Sequence, residues 1–340
     1  MKENDKIIKN ITVAAIGNNL VSYVKRSWAT VATTGNNLTV YLRRSWMLYL
    51  MLLLPMTFFI IFRYIPMTNI VIAFKDYNIF QGVWSEGSPW VGLQWFKQAF
   101  TRKDFWLAMR NTVTLNFLDL IVGFPAPIIL ALILNELIFK SFKKITQTII
   151  YLPHFLSWII VSSITTRLLA PTGGIVNIFL SDTFGVKPID FLGLVNSKNW
   201  VMTYIVFGVW KEMGWGTIIY LAAITGINPE LYEAAEVDGA GRWRKLWHIT
   251  LPGIRSTIVV LLIMNIGRIL GSEFDRPYTM ANRVVRDVAD VLATLVYRVG
   301  ILSNQFSLTA AIGLFQSVIC VIFLVTANSL AKKFGERGIW

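Results

Sequence analysis

Residues that carry chemistry are scarce in this 340-residue chain. There is one cysteine, Cys320, inside an apolar run. That excludes a disulfide framework and a thiolate metal site. The two histidines, His154 and His248, are too few and too far apart for a histidine-based metal centre, and no metal site is expected. No GxxxxGK followed by Ser or Thr occurs, so the chain has no phosphate-cradling loop and is not its own ATPase of that kind. HExxH and GxSxG are missing as well, and no catalytic residues are assigned. No apolar core of signal-peptide type lies near Met1. Charge is also short: 15% of residues are Asp, Glu, Lys or Arg, against about a quarter in a soluble domain. An enzyme embedded in a membrane is therefore a poor reading.

What the chain has in quantity is apolar surface. Apolar residues make up 55% of it, with 13 Trp and 22 Phe, and the mean hydropathy is +0.56. Aromatic rings gather at membrane interfaces. The formal charge of +13 is read as basic residues facing anionic headgroups, with membrane lipids as partners and no nucleic acid. Apolar runs fall at 45–65, 111–134, 149–169, 200–223, 256–270 and 309–330, each near the roughly 20 residues a helix needs to cross hydrocarbon. The expected fold is an all-α integral membrane protein with six transmembrane helices. Six spans put both termini on one side. With the termini inside, the inner segments hold 17 Lys and Arg in 100 positions and the outer ones 11 in 113. This bias places the termini in the cytoplasm.

The expected organisation is a basic segment over 1–44 and a membrane domain over 45–340. The first contains a tandem unit, GNNLVSYVKRSW at 17–28 and GNNLTVYLRRSW at 35–46, read as lying along the inner headgroups. The outer segment 66–110 is aromatic, and its part from Trp95 to Trp106 reads as an amphipathic surface stretch. Segment 170–199 reads as a loop from Pro171, Gly173, Gly174 and Pro188. Arg63, Arg167 and Arg268 sit near span ends, where they can snorkel to the interface. Asp119, Lys211 and Glu212 lie within spans, where a lone charge costs about 2.5–3.5 kcal/mol on insertion scales. Lys211 and Glu212 project about 100° apart on a helix and are not expected simply to neutralise each other. Glu273, Asp275, Asp287 and Asp290 stand beside Arg276, Arg283 and Arg286 and read as a solvated, salt-bridged loop.

Between the fourth and fifth spans lies the charged segment 224–255. Asn228 can cap a helix whose first residue is Pro229. Glu230 and Glu233 suit the positive end of the helix dipole. Leu231, Ala234 and Ala235 form a narrow apolar stripe. Gly239 and Gly241 interrupt the helix, and a basic, aromatic second arm runs to Pro252. The pattern is a helix–turn–helix on the cytoplasmic face.

Its spacing resembles a known motif. Glu233-Ala234-Ala235, then Gly239 after three residues, then Ile249, Leu251 and Pro252 after nine more, is similar to the EAA motif of permease subunits of binding-protein-dependent ABC importers. Asp238 and Ala240 match its fuller DGA form. The segments at 91–112, 151–158, 171–177, 289–300, 311–317 and 336–340 resemble the branch that handles oligosaccharides or polysaccharide fragments. The doubled N-terminal unit is not a family feature.

The resemblance implies an ABC importer permease fold, with the EAA helix–turn–helix after span 4, between helices 5 and 6 of the element order. It implies a multi-pass subunit in a bacterial-type cell membrane, paired with a second, usually different, permease. Two ATPase subunits would dock beneath, carrying ATP and Mg that this chain does not bind. An extracellular solute-binding protein would deliver a carbohydrate. By the same resemblance Glu233, Ala234, Ala235 and Asp238 belong at the ATPase contact, Gly239 supplies the bend, and Ile249, Leu251 and Pro252 anchor the second arm. Aromatic side chains stack on sugar faces and polar ones bind hydroxyls. That makes Tyr204, Trp210, Lys211, Glu212, Trp215 and Tyr220 of the fourth span the candidate pathway residues. An ion-driven secondary transporter or channel is the alternative, and a membrane scaffold or receptor a third reading. Neither gives the EAA segment a purpose as a motor joint.

Overall fold

The structure is a computed structural model that describes residues 45–271, 273–335 and 338–340. The tandem N-terminal unit lies outside the described residues, apart from its final Ser45 and Trp46. Among the described residues there is no strand, only a lone bridge between Lys75 and Trp90. The described residues divide into two compact units, one up to Asn69 and the other from Ile70 onward.

The described part of the first unit belongs to α1 (Trp46–Phe74), an apolar helix long enough to cross a membrane. From Trp46 to Met67 none of its residues is buried. Pro55 sits inside the helix, and Ile60–Tyr64 widens into a π turn.

The second unit begins with an aromatic loop and then α2 (Gln94–Thr101). Arg102 is extended, and α3 (Lys103–Asn135) starts directly after it. The stretch from Trp95 to Trp106 is therefore not one surface helix. Its break turns Ala99 and Phe105 inward against Leu295, Leu308 and Ile312. Within α3 the prolines Pro125 and Pro127 lack amide donors, and a π turn over Asp119–Gly123 precedes them.

The third expected span is cut in two. Helices α4 (Ser141–Phe155) and α5 (Trp158–Leu169) meet at 103°. Pro153 lies in a closing 3-10 turn, Leu156 is extended, and Ser157 starts α5 by accepting a hydrogen bond from the Ile160 amide. Segment 170–199 also departs from expectation, because its breakers bracket a helix, α6 (Ile175–Phe184), rather than a loop.

Helix α7 (Ser197–Thr225) is the axis of this unit. Its 29 residues span about 43 Å at 1.5 Å per residue. Trp200, Tyr204, Gly208, Lys211, Gly214, Thr217, Leu221 and Ile224 recur every three or four positions and are all buried, as are Thr203 and Tyr220 beside them. Gly216 lets α3 approach, since a Cβ there would lie 3.1 Å from Pro127.

Next come α8 (Pro229–Val237) and α9 (Arg242–Gly253), the latter bent by 57° from α10 (Arg255–Gly267). Short helices α11 (Asp275–Met280), α12 (Arg286–Ala289) and α13 (Leu292–Leu302) precede α14 (Phe306–Lys333), which packs along α10. In chain order α8 follows seven described helical elements rather than five, because short helices and the α4/α5 break add to the count. Helices α1, α3 and α14 are each long and apolar enough to cross a membrane, and the two bent pairs meet the same test jointly.

Candidate functional site

A cavity of about 510 Å³ lies between α3, α7 and the end of α10. Of the expected pathway residues, Glu212, Trp215 and Tyr220 line it. Tyr204 and Lys211 are buried instead. Trp210 points its ring edge-on at Phe207 and does not line the cavity. Asn116, Phe124 and Asn265, which are uncharged and carry no signal in hydropathy, also line the wall, as does Arg268, expected as an interfacial anchor.

Lys211 and Glu212 do pair, contrary to expectation. The Lys211 ammonium, on a residue 6% exposed, lies 2.9 Å from Glu212 Oε1 and donates to the His154 carbonyl at 3.0 Å. Backbone projections 100° apart do not keep two long side chains from curling together. The break after Phe155 presents His154 to α7. Its ring nitrogen Nδ1 is 2.9 Å from Glu212 Oε2, and its ring stacks on Trp215 at 4.7 Å.

Nearby, Asp119 meets Arg276. The guanidinium makes a two-pronged contact with the carboxylate at 2.7 and 3.2 Å and donates to the Tyr204 carbonyl at 2.6 Å. It also lies 3.7 Å from the Tyr204 ring centroid. Gly208 makes this possible, because a Cβ there would collide with the guanidinium. Trp158 on α5 faces the same guanidinium and donates its indole N–H to Glu273. The acidic and basic residues after α10 are thus not simply a solvated loop. Arg276 is 5% exposed and Asp290 7% exposed, each with an ionic partner, Asp119 and Arg298 respectively. A residue pair 157 positions apart carries no signal in local periodicity.

The second candidate region is the helix–turn–helix. Asn228 Oδ1 accepts the Glu230 amide at 3.1 Å, and Pro229 opens α8. The helix closes on Gly239, whose φ is +71°. The Ala240 amide reaches back to the Ala235 carbonyl at 2.8 Å and the Gly239 amide to Glu236 at 3.0 Å. This double closure requires a left-handed residue at Gly239. Lys245 Nζ pairs with Glu236 at 2.6 Å, and the Tyr232 hydroxyl shares a hydrogen bond with Thr250 at 3.0 Å, tying the arms together. Glu233, Ala234 and Asp238 are exposed and Ala235 half-buried. Leu231, Val237, Trp243 and Trp247 are exposed too.

The second arm is held by a residue next to those expected. Ile249 and Leu251 are half-buried and Pro252 is exposed. Ile254 is fully buried against Ala131, Leu134, Leu221 and Ile224. Ile254 lies two residues past the motif, and only the packing identifies it.

A family model described as the binding-protein-dependent transport system inner membrane component matches residues 123–335. The chain belongs to this family. Among its relatives, the polygalacturonan/rhamnogalacturonan transport system permease protein YteP of Bacillus subtilis is 49% identical, across 86% of this chain and 90% of that protein. Protein LplB of the same organism is 47% identical, across 86% and 91%. A solved bacterial ABC transporter involved in import of the acidic polysaccharide alginate has a chain that superposes with a TM-score of 0.79. That chain is 39% identical, and the match covers 87% of this permease and 99% of the other chain. The same transporter type was solved in complex with an alginate pentasaccharide-bound periplasmic protein, with a chain 38% identical to this one. This permease has the same all-helical fold and is an inner-membrane transport subunit rather than an enzyme.

Proposed function

We propose that this permease forms half of the pathway through which an ATP-driven importer carries a sugar oligomer, and that α8 is where a separate ATPase pushes. The observation that carries the reading is the continuity of α7. Its middle holds Glu212, Trp215 and Tyr220 on the cavity wall, and its end at Thr225 lies three residues before the Asn228 cap of α8. A displacement of α8 is thereby delivered to the wall through a rigid helix and through Ile254 packed on Ile224. Closure of paired ATPases around ATP and Mg would move the wall, and release would return it.

The relatives named for polygalacturonan, rhamnogalacturonan and alginate transport support a sugar oligomer as cargo. A second permease, different in sequence, would supply the facing wall, and a solute-binding protein the cargo. Six spans are reached by counting α1, α3 and α14, the bent pair α4/α5, α7 and α10. Segment 224–255 and both termini then face the cytoplasm, and 66–110 lies outside. In this arrangement Glu233, Ala234, Ala235 and Asp238 meet the ATPase, while Gly239, Ile249, Leu251 and Pro252 shape and seat the joint.

The test is coupling in the assembled importer. Proline cannot adopt φ +71° and removes the amide that closes α8. Gly239→Pro and Glu233→Lys are each expected to leave the complex in the membrane while uptake falls to background and ATP hydrolysis no longer responds to loaded binding protein. Unchanged coupled uptake in either variant would refute the joint.

A further inference from the structure

A second, open concavity of about 400 Å³ is lined by α11, α12, α13 and the turn between α11 and α12. It contains three arginines, Arg283, Arg286 and Arg298, and one acid, Asp290. Asp290 is already taken: Arg298 Nη1 lies 2.8 Å from its Oδ2 and Thr294 donates to its Oδ1 at 2.8 Å. Among the described residues Arg283 and Arg286 have no acidic partner. Two uncompensated guanidiniums in one concavity repel each other and concentrate an incoming anion. Tyr278 and Tyr297 stand in the same wall with rings 5.4 Å apart; Phe274 stacks on one face of Tyr278, which leaves its other face and the phenol hydroxyls to a ligand.

We infer that this cavity is a subsite for the carboxylate of an acidic sugar, with Arg283 and Arg286 as its cation pair. A guanidinium presents a planar fork of donors that matches a carboxylate two-pronged, and a tyrosine face suits the apolar side of a sugar ring. The segment follows α10 on the end away from α8 and α9. It therefore faces outward when α8 faces the ATPase, where cargo arrives from the binding protein. The central cavity is mixed in sign: Arg268 lines it without an acidic partner among the described residues, and Glu273 lines it with only the Trp158 indole N–H donating to it. Asp119 and Glu212 there are neutralised internally by Arg276 and Lys211. Arg283 and Arg286 therefore supply the positive charge of the outer cavity without help from the central one. The inference rests on the sugar-import reading and adds the charge of the sugar and a first contact outside the central cavity.

The experiment uses the full importer in proteoliposomes, with oligogalacturonate and its neutral methyl ester as probes. In the double variant Arg283→Gln, Arg286→Gln, half-maximal uptake of the acid is expected to need about tenfold more substrate, the loss of roughly one charge-assisted hydrogen bond. Maximal rate and uptake of the ester should stay unchanged. So should ATP hydrolysis stimulated by sugar-free binding protein, and lysine at both positions should restore part of the loss. Equal losses for both probes, or no loss for the acid, would overturn the subsite. A fall in ATP hydrolysis with sugar-free binding protein would overturn it in favour of a protein-docking role. A wild-type importer that carries only the ester would overturn the carboxylate reading and leave sugar import standing. One that carries neither probe but imports a neutral oligosaccharide would overturn the carboxylate subsite alone, and one that imports no oligosaccharide would overturn both.

Discussion

The two regions attached to α7 treat charge in opposite ways. Around Tyr204–Glu212 the charges are taken up inside the fold: Arg276 on Asp119, Lys211 on Glu212 and the His154 carbonyl. On α8 and α9 most charges face outward, and Glu233, Asp238, Arg242 and Arg244 are exposed with no ionic partner among the described residues. A charge buried between helices is tolerated only with its partner beside it. A charge on a free helix is solvated and available to another protein. The buried ion pairs beside the middle of α7 therefore hold helices together, whereas the unpaired charges of α8 and α9 face solvent.

Breaking the buried side should have the largest effect. Asp119→Ala strands the Arg276 guanidinium, which is 5% exposed, and loss of one partner of such a pair costs about 3–5 kcal/mol. Thermal unfolding of the purified complex should drop sharply. Replacing both residues together, Asp119→Leu with Arg276→Met, should recover much of the loss, and no recovery would show that the pair does more than hold helices.

Removing the cap of α8 should be milder. Asn228→Ala deletes the acceptor for the Glu230 amide at a cost of about 1 kcal/mol to that helix. Amide exchange should quicken over Pro229–Val237 and stay unchanged around Trp200–Ile224. A global slackening would contradict the separation of the two regions.

The smallest effect is a pH dependence. The Lys245 hydrogen bond, and then its charge, hold the Glu236 carboxyl below its usual value. A folded-state pKa that is depressed contributes stability fully present above the unfolded value and lost as pH falls through the folded one. Protection of α8 should therefore decline in acid at and below the ordinary glutamate range, and Glu236→Gln should flatten that decline. An identical acid profile in the variant would assign it elsewhere.

Much of this was legible in the chain. Apolar runs near 20 residues long report where helices can cross, and α3 and α14 follow them closely. The Asn228, Pro229 and Gly239 signals lie within a few residues of one another, and the cap and turn they form are local. The α4/α5 break was less legible. Apolar character continues through Leu156 while the backbone turns by 103°, and hydropathy has no term for direction. The single Cys320 and the missing phosphate loop limited the chemistry before any fold was known.

What the sequence determined by itself was therefore local or compositional: a helical membrane chain, a capped and glycine-closed helix after α7, and no phosphate-cradling loop of its own. The tertiary structure alone decided which charges are neutralised. Asp119 and Arg276 are 157 positions apart, and their pairing depends on Gly208 leaving room on α7 for a guanidinium. It likewise decided that Ile254 seats the second arm and that Arg283 and Arg286 share a cavity. Coulomb attraction and close packing act through space, so residues far apart along the chain acquire partners only when the helices are laid side by side.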